Sequence, residues 1–364
     1  MGERGGSESA RDLSRNALDG LRNLLCELQS SVQARVLSAR DAASSAEMST
    51  VAAVAATDTL FRVDRIAEDA VLEWFRDCWP PNDPVELVME GLEEHRSVVF
   101  PAGAAPDSIA FKCLIDPVDG TRSFMHDKRS AWVLAGLAPY RGSANRLSDI
   151  AVAAMTELPP RKQRLADQLS AVRGGGAQGI VARRANVDTG ESRAIRTEPS
   201  KARDLEHGFA AFARFFPQAK TLLCEFESAL WRRLYGESGP PSIFDDQYMC
   251  SGGQLYELLS GRDRMLGDLR PEALAKLGLE DGHAARPYDL CSVLIAEEAG
   301  CRISDPFGHP LDPPMDTDSP VSWIGFANET LEAAIRPAFA ACYGEFFSKP
   351  GGRARRHEAT PQST

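Results

Sequence analysis

Asp116 and Asp119 are spaced three residues apart in the segment CLIDPVDGT, directly after a short apolar run. Proline and glycine in the same segment are also typical of an ordinary tight turn, so a purely structural interpretation is open. The apolar run indicates a buried strand that would end with both carboxylates at the edge of a sheet, where a cation would relieve their repulsion. Carboxylate oxygens are hard ligands that suit Mg²⁺ or Mn²⁺ rather than zinc. The segment therefore predicts either a turn or the floor of a metal site.

Two further acidic segments could complete a cation site. Glu90 stands at the end of a β-like run, VELVM, with Glu93 and Glu94 nearby, and a solvated acidic loop is the alternative. Asp289 stands immediately before a helical pattern, where aspartate is also a favourable helix N-cap. The two interpretations of Asp289 are compatible, because a capping carboxylate can also bind a metal on its outward face.

Asp64 and Glu68 form another acidic pair earlier in the chain. Their spacing of four residues within LFRVDRIAEDA places them on one face of a predicted helix. The two side chains could point at a common water molecule, or they could be solvated helix charges.

The overall composition is that of an ordinary globular protein. The chain has 364 residues, of which 43% are hydrophobic and 26% are charged, enough to bury a substantial core. Its formal net charge is −11, from 41 Lys and Arg against 52 Asp and Glu. This balance argues against a general nucleic-acid or anionic-membrane binder, since phosphate backbones require a basic surface. A small phosphorylated ligand is compatible with it.

Cysteine usage and the N-terminal segment bear on the compartment. The eight cysteines are scattered without a CxxC pair, which predicts reduced thiols in a cytoplasmic protein. The N-terminal segment MGERGGSESARDLSRN lacks the apolar core of a signal peptide. No stretch approaches the ~18 apolar residues of a membrane helix.

The order of the predicted elements indicates an α+β or α/β protein. Two helices, over residues 11–40 and in the segment DRIAEDAVLEWFRDCW, precede several buried strands. We predict one domain over residues 10–347, with a first lobe to about 180 and a second lobe over 181–347. Strands are expected to be fewer in the second lobe, where the helical patterns fall at 203–216, 221–235, 253–260 and 288–300. Both ends of the chain, residues 1–9 and 348–364, are predicted to be disordered.

Two further motifs suggest other chemistry. Gly174–Gly179, with the sequence GGGAQG, fits the dinucleotide fingerprint, but the following IVARRANV is typical of a strand rather than of the required helix. Ser251–Gly253 resembles a nucleophile loop only superficially, since no histidine or acid stands out as a partner and a loop before a helix explains it. Neither motif is assigned a function.

The combined acidic pattern resembles the inositol monophosphatase superfamily of Mg²⁺-dependent sugar-phosphate phosphatases, which includes fructose-1,6-bisphosphatases and bisphosphate nucleotidases. The first matching motif is DPVDGT (116–121), followed by Phe124, His126 and SAWV (130–133). The second is YDL (288–290), which continues through IAEEAG (295–300). The resemblance spans about 55–335 and implies a layered αβαβα sandwich.

The resemblance also implies an active site. Metal would be bound by four side chains and one backbone carbonyl, those of Glu90, Asp116, Asp119, Asp289 and, for the carbonyl, Pro117. Thr121 would help to hold the attacking water, Asp64 would activate it, and Glu68 would be a supporting acid. The backbone N–H groups of Gly120 and Thr121 would meet the substrate phosphate, and Asp268 would bind a sugar hydroxyl.

The implied activity is hydrolysis of a small phosphorylated metabolite with two or three Mg²⁺ ions, or Mn²⁺, in a homodimer. An inositol or related sugar monophosphate is the first candidate substrate, followed by fructose-1,6-bisphosphate and adenosine 3',5'-bisphosphate. The chain departs from the family where Gly91 follows Glu90 in place of a second glutamate, at Tyr288 in place of a tryptophan, and over 180–250. A catalytically weakened relative that binds a phosphorylated ligand or a protein partner is therefore the alternative.

Overall fold

The computed structural model describes residues 14–43, 51–54, 59–92, 97–237, 242–279 and 284–347. The two ends predicted to be disordered lie outside these ranges, as do Glu93 and Glu94. None of the helices in these ranges combines the length and the apolar character that a membrane crossing requires.

Two long helices pack together on one face of the larger sheet. Helix α1 (Arg15–Ala42) begins after Ser14, whose hydroxyl accepts a hydrogen bond from the backbone N–H of Ala17 at 3.3 Å. Its buried leucines recur at helical spacing, so one stripe of the helix faces the core. An antiparallel strand pair, β1 (Val51–Val54) and β2 (Thr59–Phe61), leads into helix α2 (Arg62–Cys78).

The larger sheet has eight strands in the described part of the chain. In chain order they are β3 (Val85–Met89), β4 (Val98–Phe100), β5 (Phe111–Asp119), β6 (Ala131–Pro139), β7 (Val152–Leu158), β8 (Leu165–Val172), β9 (Val181–Asn186) and β10 (Ser192–Ala194). Their spatial order is β10-β9-β8-β7-β6-β5-β3-β4. Strands β3 and β5 are parallel, and every other neighbouring pair is antiparallel.

A second sheet of four strands follows in the chain. Its members are β11 (Phe209–Phe212), β12 (Asp263–Asp268), β13 (Arg302–Ser304) and β14 (Trp323–Phe326), in the spatial order β11-β12-β14-β13. The remaining helices are α3 (Thr121–Met125), α4 (Gly176–Gly179), α5 (Lys220–Tyr235), α6 (Ser251–Leu259), α7 (Arg270–Leu277), α8 (Val293–Ala299) and α9 (Glu329–Phe347).

Strand β6 shows how the larger sheet divides the core into two. Its residues alternate between the faces, so that Val133 packs with α1 and α2, whereas Trp132 and Leu134 pack in a second cluster with α6, α8 and the smaller sheet. On the far side of the smaller sheet, the rings of Phe226 in α5 and Phe339 in α9 lie 5.2 and 6.1 Å from that of Phe212 in β11. The layers are therefore helix, sheet, helix, sheet, helix, and the predicted αβαβα sandwich is confirmed.

The prediction of a helix over 203–216 is wrong. Residues Phe209–Phe212 form β11, which pairs in parallel with β12. The segment FAAF has no strand periodicity because it is only four residues long and its last three residues are buried. Contacts with β12, more than fifty positions later, decide its conformation.

The expectation of fewer strands after residue 180 agrees with the described residues, in which eight strands precede this position and six follow it. Strands β9 and β10 extend the larger sheet past residue 180. The helical pattern at 288–300 is divided into a 3₁₀ turn, Pro287–Leu290, and helix α8.

Candidate metal centre

The closeness of Glu90 and Asp116 follows from the pairing of two parallel strands. Met89 at the end of β3 lies opposite Ile115 in β5, and Glu90 N donates to the Ile115 carbonyl oxygen at 3.3 Å. Because the two strands are parallel and in register, the residues that follow this pair, Glu90 and Asp116, lie side by side where β3 ends. The Glu90 carboxylate accordingly lies close enough to Asp116 for its charge to raise the pKa of the Asp116 carboxyl group.

A β-bulge brings Asp116 and Asp119 to the same side of the sheet. Asp116 lies opposite Leu134 and Asp119 lies opposite Trp132, so β5 holds one residue more than β6 between these pairs. In a regular strand, residues three positions apart face opposite sides, and the additional residue corrects this. Pro117 lies within the bulge and has no N–H to leave unpaired.

Local contacts hold both carboxylates of the bulge in place. The Val118 backbone N–H donates to Asp116 Oδ1 at 2.9 Å. Gly120 follows with a φ of 97°, a left-handed conformation that ends the strand and starts α3 at Thr121. A Cβ atom on Gly120 would lie 2.9 Å from the Cβ of Cys250, so glycine is required there for space as well as for backbone conformation.

Asp289 reaches the same place from the other side of the core. It lies in the 3₁₀ turn, where its Oδ2 accepts a hydrogen bond from Arg286 N at 2.6 Å. One carboxylate oxygen from each of Asp116, Asp119 and Asp289 lies within 4.8 Å of the other two. The carboxylate of Asp289 thus caps a turn and also faces the two aspartates of the bulge.

Burial raises the pKa of all three aspartates, and the charges of neighbouring carboxylates raise those of Asp116 and Asp119 further. The pKa of Asp116 is held well above its ordinary value by burial and by the charges of Glu90, Asp119 and Asp289. Burial and the Asp289 charge raise that of Asp119, and burial raises the pKa of Asp289 to about 6. Such a group of oxygen donors fits a hard divalent cation, whose charge would stabilise the ionised carboxylates.

Glu90 lies beside this cluster. Within the described residues, the three carboxylates grouped within 4.8 Å are those of the aspartates, whereas Glu90 lines the same cavity next to Asp116. Its role as a metal ligand, like that of the Pro117 carbonyl, stays a prediction.

The predicted water-activating pair is adjacent to the aspartates. Thr121 Oγ1 lies 2.8 Å from Asp64 Oδ1 and 2.8 Å from the Val118 carbonyl oxygen. Asp64, in the first turn of α2, accepts a hydrogen bond from Phe61 N through its other oxygen at 2.8 Å. Two acceptors therefore compete for the single hydroxyl proton of Thr121, which leaves the hydroxyl oxygen able to accept.

Glu68 is buried one helical turn after Asp64, and its Oε2 lies 3.1 Å from Arg65 Nη1. Burial raises the pKa of Glu68 to about 7. A Cβ on Gly91 would lie 2.0 Å from Glu68 Oε1, so this carboxyl group occupies the space that a side chain at position 91 would need. Burial of the Glu68 side chain in α2 therefore requires glycine at position 91.

A cavity of about 280 Å³ opens in front of the aspartates. Besides the residues already described, its lining includes two aromatic rings and three arginines, namely Phe215, Phe216, Arg122, Arg270 and Arg286. The Arg270 guanidinium lies 4.6 Å from the ring centroid of Phe215. Its Nε donates to both carboxylate oxygens of Asp268 at 2.9 Å. Asp268, predicted to bind a sugar hydroxyl, is thus buried and bound to Arg270, and its predicted role has no further support.

Sequence reasoning missed the contribution of helix α6 to the site. The backbone N–H of Gly252, in its first turn, donates to Asp119 Oδ2 at 2.5 Å. A Cβ on Gly252 would lie 2.7 Å from Leu134 Cδ2 and 3.0 Å from that same oxygen, so glycine allows the approach. The only sequence signal for this contact was Ser251–Gly253. From the sequence, these residues are explained as a loop before a helix, which does not require a contact with Asp119.

The glycine-rich motif at 174–179 has a structural explanation. The backbone N–H of Gly174 donates to Glu298 Oε1 at 2.7 Å, and that of Gly176 donates to Glu298 Oε2. The N–H groups that would bind a phosphate in a dinucleotide site are therefore used by a carboxylate of this chain.

Comparisons with known proteins identify the fold. No family model and no curated protein matches the sequence. Solved structures do match: extragenic suppressor protein suhB from Bartonella henselae is 16% identical with a TM-score of 0.57, over 88% of this chain and 98% of that one. Fructose-1,6-bisphosphatase from Leishmania major is 14% identical with a TM-score of 0.62, over 87% and 93%. Inositol monophosphatase from Anabaena is 14% identical with a TM-score of 0.54, over 92% and 98%. The chain therefore has the fold of the inositol monophosphatase superfamily, as its motifs predicted.

Metal-free protein is expected to be destabilised by its own aspartates. Since their pKa values are raised on folding, stability should fall as the pH rises from the ordinary aspartate value of about 4 through about 6, the value for Asp289. Asp116→Asn should raise the melting temperature in EDTA at pH 7.5, and Mg²⁺ should stabilise the wild type but not this variant. Thermal melts from pH 4.5 to 8 measure both effects.

The exposed Asp107 provides the matched control for this experiment, since Asp107→Asn removes one carboxylate far less buried than Asp116. It should leave both the pH dependence and the Mg²⁺ response of the wild type unchanged. A Mg²⁺ response that survives in the Asp116 variant would contradict the assignment of the metal centre.

The role of Gly120 can be separated into backbone strain and space. Gly120 and Gly103 have φ values of 97° and 82°, but a Cβ on Gly103 would have no atom within 4 Å. Gly103→Ala should therefore lose only about 1–2 kcal/mol of unfolding free energy. Gly120→Ala should lose about 1–3 kcal/mol more, because Cys250 must move, and should also lose the Mg²⁺ response. Urea denaturation with and without Mg²⁺ tests this, and equal losses in the two variants would refute the steric account.

Proposed function

We propose that this chain is a Mg²⁺-dependent phosphatase, a phosphoric monoester hydrolase that acts on a small phosphorylated polyol or sugar. The observation that carries the proposal is the group of three aspartates, two buried and one half-buried, within 4.8 Å of one another, in a cavity that also holds the Thr121–Asp64 pair. A turn without a function would not need three mutually repelling carboxylates in a buried place. The fold, shared with solved phosphatase structures, supports the same reaction class.

The proposed ligands are Glu90, Asp116, Asp119, Asp289 and the Pro117 carbonyl, a set of oxygen donors that fits Mg²⁺, with Mn²⁺ as an alternative. Two or three bound ions would neutralise phosphate charge and lower the pKa of a water molecule. The number of ions, like the identity of the metal, is part of the proposal.

The residues of the chain orient the nucleophile and the phosphate. The Thr121 hydroxyl oxygen would accept one hydrogen of the attacking water, and Asp64 would take up the proton through the same hydrogen-bonded pair. The water oxygen forms a bond to phosphorus while the bond to the ester oxygen breaks. The N–H groups of Gly120 and Thr121, where the bulge turns into α3, would bind phosphate oxygens, and Glu68 would support Asp64 from its buried position.

The lining of the cavity bears on the substrate. Arg122, Arg270 and Arg286 add positive charge to a cavity otherwise rich in carboxylates, which suits a phosphorylated ligand. An inositol or sugar monophosphate is the first candidate, and the likeness to an Anabaena inositol monophosphatase supports it. Fructose-1,6-bisphosphate follows, supported by the likeness to the Leishmania major enzyme, and adenosine 3',5'-bisphosphate is third.

Compartment and assembly are also proposals. All eight cysteines are free, which agrees with a reducing compartment such as the cytoplasm. A homodimer is proposed from the resemblance of the motifs alone.

The proposal predicts Mg²⁺-dependent release of phosphate from at least one compound of a panel that contains inositol, sugar and nucleotide phosphates. EDTA should abolish the release, and Asp116→Asn should abolish it in Mg²⁺. Asp64→Asn should lower kcat by about 10²–10⁴-fold, the usual contribution of a general base. Asp107→Asn should have wild-type activity. Released phosphate is measured for each purified variant, together with its melting temperature.

The alternative of a binding protein gives a different result in the same experiment. It has a specific motivation in Gly91, which replaces the acidic residue expected after Glu90. A member of the panel would then raise the melting temperature in Mg²⁺ without any phosphate release. That outcome, in folded protein that responds to Mg²⁺, would refute the phosphatase proposal.

A further inference from the structure

A second cavity, of about 450 Å³, is lined by four arginines. These are Arg184 in β9, Arg193 in β10, Arg196 just after β10, and Arg262 just before β12. The hydroxyl-bearing side chains of Thr197, Tyr256 and Ser260 also line it. We call this space the arginine cavity. Four guanidinium groups around one concavity contrast with the formal charge of −11 of the whole chain.

Among the described residues, two of the four guanidinium groups form a hydrogen-bonded ion pair with a carboxylate. Arg184 forms a bidentate pair with the buried Asp167 at 2.6 and 2.8 Å, and Arg262 lies 2.9 Å from Glu257. In the part of the chain that the structure describes, the guanidinium group of neither Arg193 nor Arg196 forms a hydrogen bond or an ion pair. Both are exposed at the cavity.

Glu198, the acid nearest to Arg196 in sequence, forms its ion pair with Lys201, and the Arg196 charge contributes more weakly to the lowered pKa of Glu198. Two of the arginines thus leave an excess of positive charge at the cavity. This charge would attract an anion that enters the cavity. Guanidinium groups present paired N–H donors that match the oxygens of a phosphate group.

The arginine cavity is separate from the metal centre. Ser251 and Gln254, in the first half of helix α6, line the metal cavity. Tyr256, later in the helix, and Ser260, just after its end, line the arginine cavity. Gln254 and Tyr256 are two residues apart in this helix, a rotation of about 200° around its axis, so the two cavities lie on different sides of it. One small phosphate ester bound at the aspartates would therefore not place the same phosphate group at the arginines.

Asp167, the ion-pair partner of Arg184, also connects this arginine to the core beside the metal centre. Tyr256 OH donates to Asp167 Oδ2 at 2.5 Å, and the Tyr256 ring lies 4.7 Å from that of Trp132. Trp132 is the residue opposite Asp119 in the sheet. The part of the cavity wall formed by Arg184 and Tyr256 is thus anchored in the core, whereas Arg193 and Arg196 line the cavity as exposed side chains.

We propose that the arginine cavity is a second binding site, independent of metal, for a small polyanion that carries phosphate groups. The volume of the cavity suits a compact ligand, and its donors are guanidinium and hydroxyl groups. Inorganic pyrophosphate is the simplest probe of this chemistry, because its charge and its paired phosphates test the site without any organic part.

The test is calorimetric titration of pyrophosphate into the full chain in EDTA, so that no divalent cation can hold the probe at the aspartates. The wild type should bind it. The double variant Arg193→Gln/Arg196→Gln should bind at least about tenfold more weakly, since two charge-assisted contacts are removed. A melt of the free variant checks that it is folded.

Lys162→Gln/Arg203→Gln is the matched control, because it removes the same two charges from exposed positions outside the cavity. It should keep wild-type affinity at the same ionic strength. Equal weakening in both double variants would mean that pyrophosphate responds only to net charge, and this would overturn the proposal, as would an absence of binding to the folded wild type. Because metal is absent throughout, none of these results depends on whether the chain is a phosphatase.

Discussion

The close approach of three carboxylates, two of them buried and one half-buried, is the constraint on which the rest of the site depends. Asp116, Asp119 and Asp289 come from two sides of the core and place oxygens within 4.8 Å of one another. Burial raises the pKa of all three, with repulsion adding to this at Asp116 and Asp119, so folding works against their ionisation unless a cation is bound. The fold must therefore supply enough stability elsewhere, and the two large hydrophobic clusters on the faces of the larger sheet do so.

Backbone geometry rather than side-chain length brings these groups together. One additional residue in β5 turns Asp119 to the side of Asp116, and Gly120 allows the chain to leave the strand beside Cys250. Helix α6 then approaches closely enough for Gly252 N to reach Asp119. At the bulge, at Gly120 and at Gly252, the backbone lies in close contact with neighbouring groups. Substitutions at these positions are therefore poorly tolerated, although glycine and proline carry no catalytic group.

What the sequence could reveal follows from the range of the contacts. The apolar run before Asp116 and the helical pattern after Asp289 are local, and the expected strand and helix both exist, although a bulge and a 3₁₀ turn modify them. The closeness of Asp64 to Thr121, 57 positions apart, followed only from the resemblance to a family. Strand β11 depends on pairing with β12, and the arginine cavity on contacts between β9, β10 and the residues after α6. Neither has a local pattern that would have predicted it.

Proton release on Mg²⁺ binding tests the central claim most directly. Mg²⁺ is titrated into metal-free protein at pH 6 in two buffers of different ionisation enthalpy, and the difference in observed heat gives the number of protons released. The account predicts release from the aspartate cluster, because carboxyl groups with raised pKa values must ionise to bind the ion. Asp116→Asn should bind Mg²⁺ far more weakly. Binding that releases no proton and is equally tight in this variant would contradict the account.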